Sequence, residues 1–215
     1  MSVICPTILA TDLDDYNYQV GRLQPFAERV QIDITDGVFA QNQTVGLGQI
    51  WWPEHWKVDL HLMVSNPSEY IDQVIKMKPN MVIFHSETEE DLVPIFEKLK
   101  KETLIKPAVA LLRSTVPETV ADAINAAEHV LIFSGNLGQM GGKASMMQLE
   151  KIRLVKAINQ NVEIGWDGGA NLANVFALTQ GGVDVVNVGS AIAGAAEPEQ
   201  VYHTMANEIT RKGAI

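Results

Sequence analysis

Cysteine is almost absent from this chain. Cys5 is the only one in 215 residues, which excludes an intramolecular disulfide and points to a reducing compartment. Positive charge is also in deficit: 16 Lys and Arg stand against 26 Asp and Glu, a formal net charge of −10 at pH 7. A nucleic acid needs a basic face, so it is excluded as the main partner. No apolar run approaches the roughly 20 residues of a membrane span. The apolar start from Val3 to Leu9 lacks a basic leader and is too short for a secretory core. Linkers and low-complexity tracts are missing too, so one soluble, cytoplasmic domain over residues 1–215 is expected.

Eight short apolar runs recur at fairly regular spacing: Val3 to Leu9, Arg29 to Ile34, Lys57 to Met63, Met81 to His85, Lys106 to Leu111, His129 to Phe133, Val162 to Trp166 and Val183 to Val188. Rich in Val and Ile, they read as parallel strands buried on both faces. Helical stretches lie between them. Ser86 to Glu89, Thr115 to Glu118 and Ser145 to Gln148 each fit a capping box, and Pro67 and Pro198 suit first helical turns. From Asp12 to Leu23, Leu13, Tyr16, Val20 and Leu23 fall at helical spacing. The second unit departs from this pattern, with Gly37 to Pro53 promising a long loop and a short helical turn. Eight strand–helix alternations favour a closed (β/α)8 barrel of the α/β class. The alternative is an open doubly wound sheet, and the absence of a Gly-x-Gly-x-x-Gly turn after strand one argues against its dinucleotide-binding version.

In such a barrel chemistry sits where strands end and the following loops begin. Those positions hold Thr7, Asp33, His61, His85, Asn136, Asp167 and Gly189-Ser190. A carboxylate emerging from a core is costly to desolvate and needs a partner or a purpose. Alternation along a strand puts Gln31 and Asp33 on one face, as it does Asp59, His61 and Met63. A single strand-end aspartate more often bonds loop amides, and a single buried histidine is more often a satisfied imidazole; two aspartates and His61 together favour a site. His85 has a structural reading as good as a functional one. Asp36 fits a turn before Gly37. Trp51 and Trp52 fit a packed loop, Met146 and Met147 helix packing, and Cys5 an inert thiol.

The segments Cys5-Pro6-Thr7-Ile8-Leu9, Gln31 to Phe39, Asp59 to Pro67, Asp167-Gly168-Gly169 and Gly189-Ser190-Ala191-Ile192 resemble the signature segments of ribulose-phosphate 3-epimerases, in order and spacing across essentially the whole chain. His61-Leu62-Met63 with Asn66-Pro67 is the most specific part. The resemblance implies a cytoplasmic homo-oligomer that acts on a small phosphorylated sugar. It implies Asp33 and Asp167 as the catalytic acid/base pair, exchanging the proton next to a ketose carbonyl through an enediolate. It also implies a divalent ion (Zn, Mn or Mg) bound by Asp33, His61, Asp167 and the residue at position 31. The family's histidine there is Gln31, whose carbonyl suits harder cations than zinc. His61 and Thr7 would also meet substrate. Gly168-Gly169 and Gly189-Ser190 occupy the usual phosphate position of such barrels, and Gly141 and Gly142 could complete the cradle.

Other departures cluster at the same mouth. Thr7 stands for a serine, Thr35 and Phe133 for methionines, Val38 and Gln41 for histidine and proline, and the Ser134 to Lys143 loop is one residue longer. Two other readings follow: an epimerase for a different ketose phosphate, or a sugar-phosphate-binding barrel without turnover. A Schiff-base aldolase is disfavoured, because strand six carries no lysine. The related decarboxylase and aldolase barrels are disfavoured by Thr35 and Val38, which stand where those have lysine and aspartate.

Overall fold

The computed structural model describes residues 2–210, in which eight parallel strands close on themselves in chain order. They are β1 (Val3–Ile8), β2 (Arg29–Thr35), β3 (Lys57–Met63), β4 (Met81–His85), β5 (Lys106–Leu111), β6 (His129–Phe133), β7 (Glu163–Asp167) and β8 (Val185–Val188). The (β/α)8 barrel expected from the alternation is the fold. The bounds of β3 to β6 are as expected, those of β1, β2, β7 and β8 shift by one or two residues, and Asp167 becomes the last residue of β7 rather than the first beyond it. Residues 1 and 211–215 lie outside the described residues.

Period-two alternation explains the two cores. Val30, Ile32 and Ile34 of β2 face outward into the large apolar layer between sheet and helices, with Leu60 and Leu62 of β3 and Trp166 of β7. Met81, Ile83, Ala108, Ala110 and Leu131 fill a smaller apolar cluster inside the barrel, contributed by β4, β5 and β6. Polar inward positions are concentrated on β2, β3 and β7. At the barrel floor Arg29 pairs with Asp59 at 2.6 Å and with Glu163 at 2.9 Å, and Glu163 also stands 2.8 Å from His129 Nδ1.

The outer layer holds α1 (Leu13–Leu23), α2 (Ile71–Met77), α3 (Leu92–Glu102), α4 (Ala121–Ala126), α5 (Glu150–Ile158), α6 (Val175–Gln180), α7 (Ser190–Ala193) and α8 (Pro198–Thr210). No helix lies between β2 and β3: the long loop expected there is present, with turns at Gly46–Gln49 and Pro53–Trp56, but the short helical turn is not. Pro67 opens a 3-10 turn and Pro198 opens α8, matching their fixed φ and missing N–H.

Several local expectations are corrected. Leu13 is 40% exposed while Gln19 is buried, so the inward stripe of α1 is Tyr16, Gln19, Val20 and Leu23. Gln19 is accommodated because its amide donates to the Leu9 carbonyl and the Asp15 carboxylate. None of the three capping boxes forms. Asp91 caps α3 through the Val93 N–H, the Thr115 hydroxyl bonds Glu87 instead, and Ser145 makes no side-chain cap. Met146 and Met147 do not pack a helix: they sit on a 3-10 turn, Met147 83% exposed. The packed loop expected for Trp51 and Trp52 holds for Trp52 only, since Trp51 is 50% exposed. Trp52 lies against the core, and Tyr16 donates to the Trp51 carbonyl at 2.6 Å.

Candidate active site

The site begins with β2, where alternation turns Gln31 and Asp33 into the barrel. In-register pairing sets Asp33 beside His61 of β3. His61 Nδ1 lies 2.9 Å from Asp33 Oδ1 and 3.8 Å from Asp167 Oδ2. One potential ligand atom from each of Asp33, His61 and Asp167 falls within 4.8 Å of the others. Such a group could hold a metal ion. Gln31 completes the cluster from below. Its Nε2 donates to Asp33 Oδ1 at 2.8 Å and to Asp167 Oδ2 at 2.6 Å, while its buried Oε1 has no hydrogen-bond partner.

This enclosure acts on the acids. Burial pushes the Asp167 carboxyl up to about 7, and the nearby Asp33 charge adds to it; His61, the Gln31 amide and the Gly168 N–H oppose the rise. A second carboxylate beside a buried carboxyl group disfavours its charged form, so Asp167 keeps its proton to nearer neutral pH than an ordinary aspartate.

Behind His61 stands a second imidazole. His61 Nε2 and His85 Nε2 are 2.9 Å apart, both rings fully buried beside Phe133. Sequence alone left His85 evenly balanced; the structure joins it to His61. Burial pushes His85 down to about 4, against the pull of Glu87. Burial works against the Glu87 carboxylate as well, but hydrogen bonds from His85 and Thr115 outweigh it and hold that group at about 2. Glu87 was not expected from sequence. A usable signal existed, because a glutamate two residues past a strand-end histidine can fold back onto it.

Above the carboxylates opens a cleft lined by Thr7, Asp33, Asn136, Gly141, Asp167, Gly168, Gly169, Gly189 and Ser190 among others, the concave form with convergent polar groups that small-molecule sites take. The expected residues therefore converge, with four exceptions. Gln31, His61 and His85 lie behind the wall, and Gly142 is not part of it. Asn187 and Met140 line the cleft without having been foreseen. Asn187 is a lone polar residue in the Val185–Val188 run, and its buried Oδ1 has no partner.

The glycines have steric work here. Gly168 has φ +110°, and a Cβ there would overlap Gly135 N, so the loops after β6 and β7 touch backbone to backbone. A Cβ on Gly189 would stand 2.8 Å from Thr7 Oγ1. The loop after β6 is tied on both sides. Asn42 Nδ2 donates to the Gly138 carbonyl at 3.0 Å, and Arg113 donates to the Gly135 carbonyl at 2.6 Å. Asp36 does serve the turn, accepting from the Val38 and Phe39 N–H groups. Cys5 is fully buried, and burial raises its thiol well above the ordinary range. Among the described residues no helix is long and apolar enough to cross a membrane.

Solved structures with the same architecture include 3-hexulose-6-phosphate synthase from Salmonella typhimurium, at TM-score 0.70 and 15% identity over 97% of this chain and 98% of that one. KGPDC from Streptococcus mutans aligns at TM-score 0.72 and 10% identity over 98% of each chain. At such identities the likeness concerns the fold. Sequence relatives are closer. The cytoplasmic isoform of ribulose-phosphate 3-epimerase from Oryza sativa subsp. japonica is 30% identical, over 96% of this chain and 93% of its own length. The ribulose-phosphate 3-epimerase of Aquifex aeolicus is 31% identical over 93% of each. The model of the Ribulose-phosphate 3 epimerase family matches residues 3–193, and with that match spanning all eight strands and both aspartates, the chain belongs to this family of carbohydrate epimerases.

Proposed function

We propose that the protein epimerises a ketose phosphate at C3, with Asp33 and Asp167 exchanging the proton on opposite faces of that carbon. The observation that carries this reading is the convergence of the two carboxyl groups on one cleft, one held protonated near neutral pH. Epimerisation needs that asymmetry. Asp33 takes the C3 proton as the base, the C3–H electron pair passes into an enediolate across C2 and C3, and the Asp167 O–H returns a proton to the other face. The two residues trade protonation states in the reverse direction.

Asp33, His61 and Asp167 would hold a divalent metal ion, and the unpartnered Gln31 Oε1 fits the same role. Half a turn of the amide exchanges Oε1 for Nε2 beside the two carboxylates. The resulting set of three oxygen-bearing side chains and one imidazole favours Mg2+ or Mn2+ over Zn2+. When bound, the ion supplies Lewis-acid stabilisation of negative charge on the substrate oxygens. The phosphate is assigned to Gly168, Gly169, Gly189 and Ser190, with Gly141 and Thr7 beside them on the cleft wall. Backbone N–H groups suit an anion in a protein of net charge −10.

Proton exchange tests the reading directly. D-ribulose 5-phosphate incubated with the protein in D2O should gain deuterium at C3. Asp33→Asn and Asp167→Asn should each slow that exchange by about 100-fold or more. A wild-type protein that binds the sugar phosphate but exchanges no proton would instead establish a binding barrel without turnover. Exchange on another ketose phosphate, but not this one, would move the assignment to a different epimerase.

A further inference from the structure

We infer that His85 and Glu87 are positioning residues that fix the tautomer of His61, keeping its Nδ1 lone pair aimed at the Asp33–Asp167 cluster. The inference rests on the metal-holding role proposed for that cluster.

Hydrogen-bond direction can be followed inward from the outer end of the chain. Glu87 Oε1 accepts from the Leu112 N–H at 3.0 Å and from the Thr115 hydroxyl. That leaves Oε2, buried and 3.4 Å from His85 Nδ1; neither of these two atoms has a closer partner among the described residues. A carboxylate oxygen can only accept, so the pair is satisfied with the proton on His85 Nδ1. In a neutral His85 the other nitrogen is then an acceptor. It faces His61 Nε2 at 2.9 Å, so His61 must carry its proton on Nε2. Its Nδ1 is left as a lone pair, 2.9 Å from Asp33 Oδ1 and 3.8 Å from Asp167 Oδ2. A lone pair and two carboxylate oxygens meeting at that range call for a cation or a shared proton between them. The polarity runs one way, from a carboxylate anchored on a backbone amide to the atom that would meet the ion.

The alternative polarity has a cost that can be located. Were His61 protonated on Nδ1, His85 would present Nε2–H to it and turn a bare Nδ1 lone pair toward Glu87 Oε2. Two acceptors would then face each other in a buried site.

Glu87→Gln separates these states. Leu112 N–H must still meet an oxygen, so the carbonyl of the new amide takes the Oε1 position and its NH2 points at His85 Nδ1. A donor then stands where an acceptor stood, and both imidazoles should invert, placing the proton of His61 on Nδ1. Long-range 1H–15N correlation spectra of chelator-treated protein report each tautomer, with five histidines to assign. Wild type should show His61 as the Nε2–H form and Glu87→Gln as the Nδ1–H form. Mn2+ affinity, measured by calorimetry without substrate, should fall about 10- to 100-fold in the variant. Glu87→Asp, which retains a carboxylate, should recover part of it. An Nδ1–H form of His61 in the wild type overturns the inference even if no variant folds. A folded Glu87→Gln with unchanged tautomer and Mn2+ affinity overturns it as well. These readouts use no substrate, so they can fail while C3 exchange succeeds, or hold while it fails.

Discussion

The Gln31 amide nitrogen sits 2.6 Å from an oxygen of Asp167 and donates to Asp33 with its second hydrogen. One neutral side chain thereby holds together two acids that would otherwise repel. Where a cationic or metal-bound group would neutralise the pair, an amide supplies only two charge-assisted hydrogen bonds, each worth about 1.5–3 kcal/mol. Gln31→Leu removes both and leaves the carboxyl groups facing each other. We expect chelator-treated Gln31→Leu to lose about 3–6 kcal/mol in urea unfolding at pH 8, and less at pH 5, where Asp167 is protonated. Equal losses at both pH values would mean that Gln31 contributes packing alone.

The Asp167 carboxyl makes a second, pH-dependent contribution. Its ordinary value is 3.8, and burial with the Asp33 charge raises it to about 7 in the fold. Between those values the folded state binds a proton that the unfolded state has released, so stability falls as pH rises through the window. Metal-free protein should accordingly be more stable at pH 5 than at pH 7.5 so far as this group is concerned. Asp167→Asn should flatten that part of the profile. Thermal melts of the two proteins in chelator across the range check it. Adding Mn2+ at pH 7.5 should raise the melting temperature of wild type, with proton release seen in weakly buffered solution, because a ligating carboxyl must give up its proton.

The fold was legible because every strand announces itself as a short Val/Ile-rich run, and strand ends told which polar residues would meet. Asp33 and Asp167 share the cleft because β2 and β7 both end there. Local signals did worse. The Thr115 capping box failed because Glu87 took the hydroxyl, a partner 28 residues away. His85 was undecidable alone because its role depends on two distant groups, Glu87 Oε2 and His61 Nε2. Leu13 fitted the helical period yet lies exposed, since the buried amide of Gln19 finds the Leu9 carbonyl. Periodicity identifies which residues may face a core; it does not say which polar ones find partners there.

The contact between the loops after β6 and β7 predicts unequal costs at two glycines that share a similar conformation. Gly142 has φ +104° and open space around its missing side chain, whereas a Cβ on Gly168 at φ +110° runs into the Gly135 backbone. Gly142→Ala should cost only the conformational strain, about 1–3 kcal/mol. Gly168→Ala must also displace the loop that covers the cleft, so it should cost more in urea unfolding and raise KM for the sugar phosphate. Similar stabilities for the two variants would show that the loop yields freely.

At the floor of the barrel the same accounting of charge applies without any chemistry to perform. Arg29 is the cation between Asp59, almost fully buried, and Glu163. Burial works against the Glu163 carboxylate, but hydrogen bonds from His129 and Arg29 outweigh it and hold that group well below its ordinary range. A depressed carboxylate adds stability that is present above its unfolded value of 4.5 and is lost as pH falls below that. Asp59 keeps the Asn80 amide at 2.7 Å when the arginine is removed, which does not neutralise it. Arg29→Met should therefore cost about 3–5 kcal/mol at pH 7 and visibly less at pH 4, where the orphaned acids can protonate. C3 exchange per folded molecule should be unchanged, because Arg29 enters β2 at the end opposite Asp33. A variant that unfolds no more easily than wild type at pH 7 would show that the Asn80 amide and water suffice for Asp59.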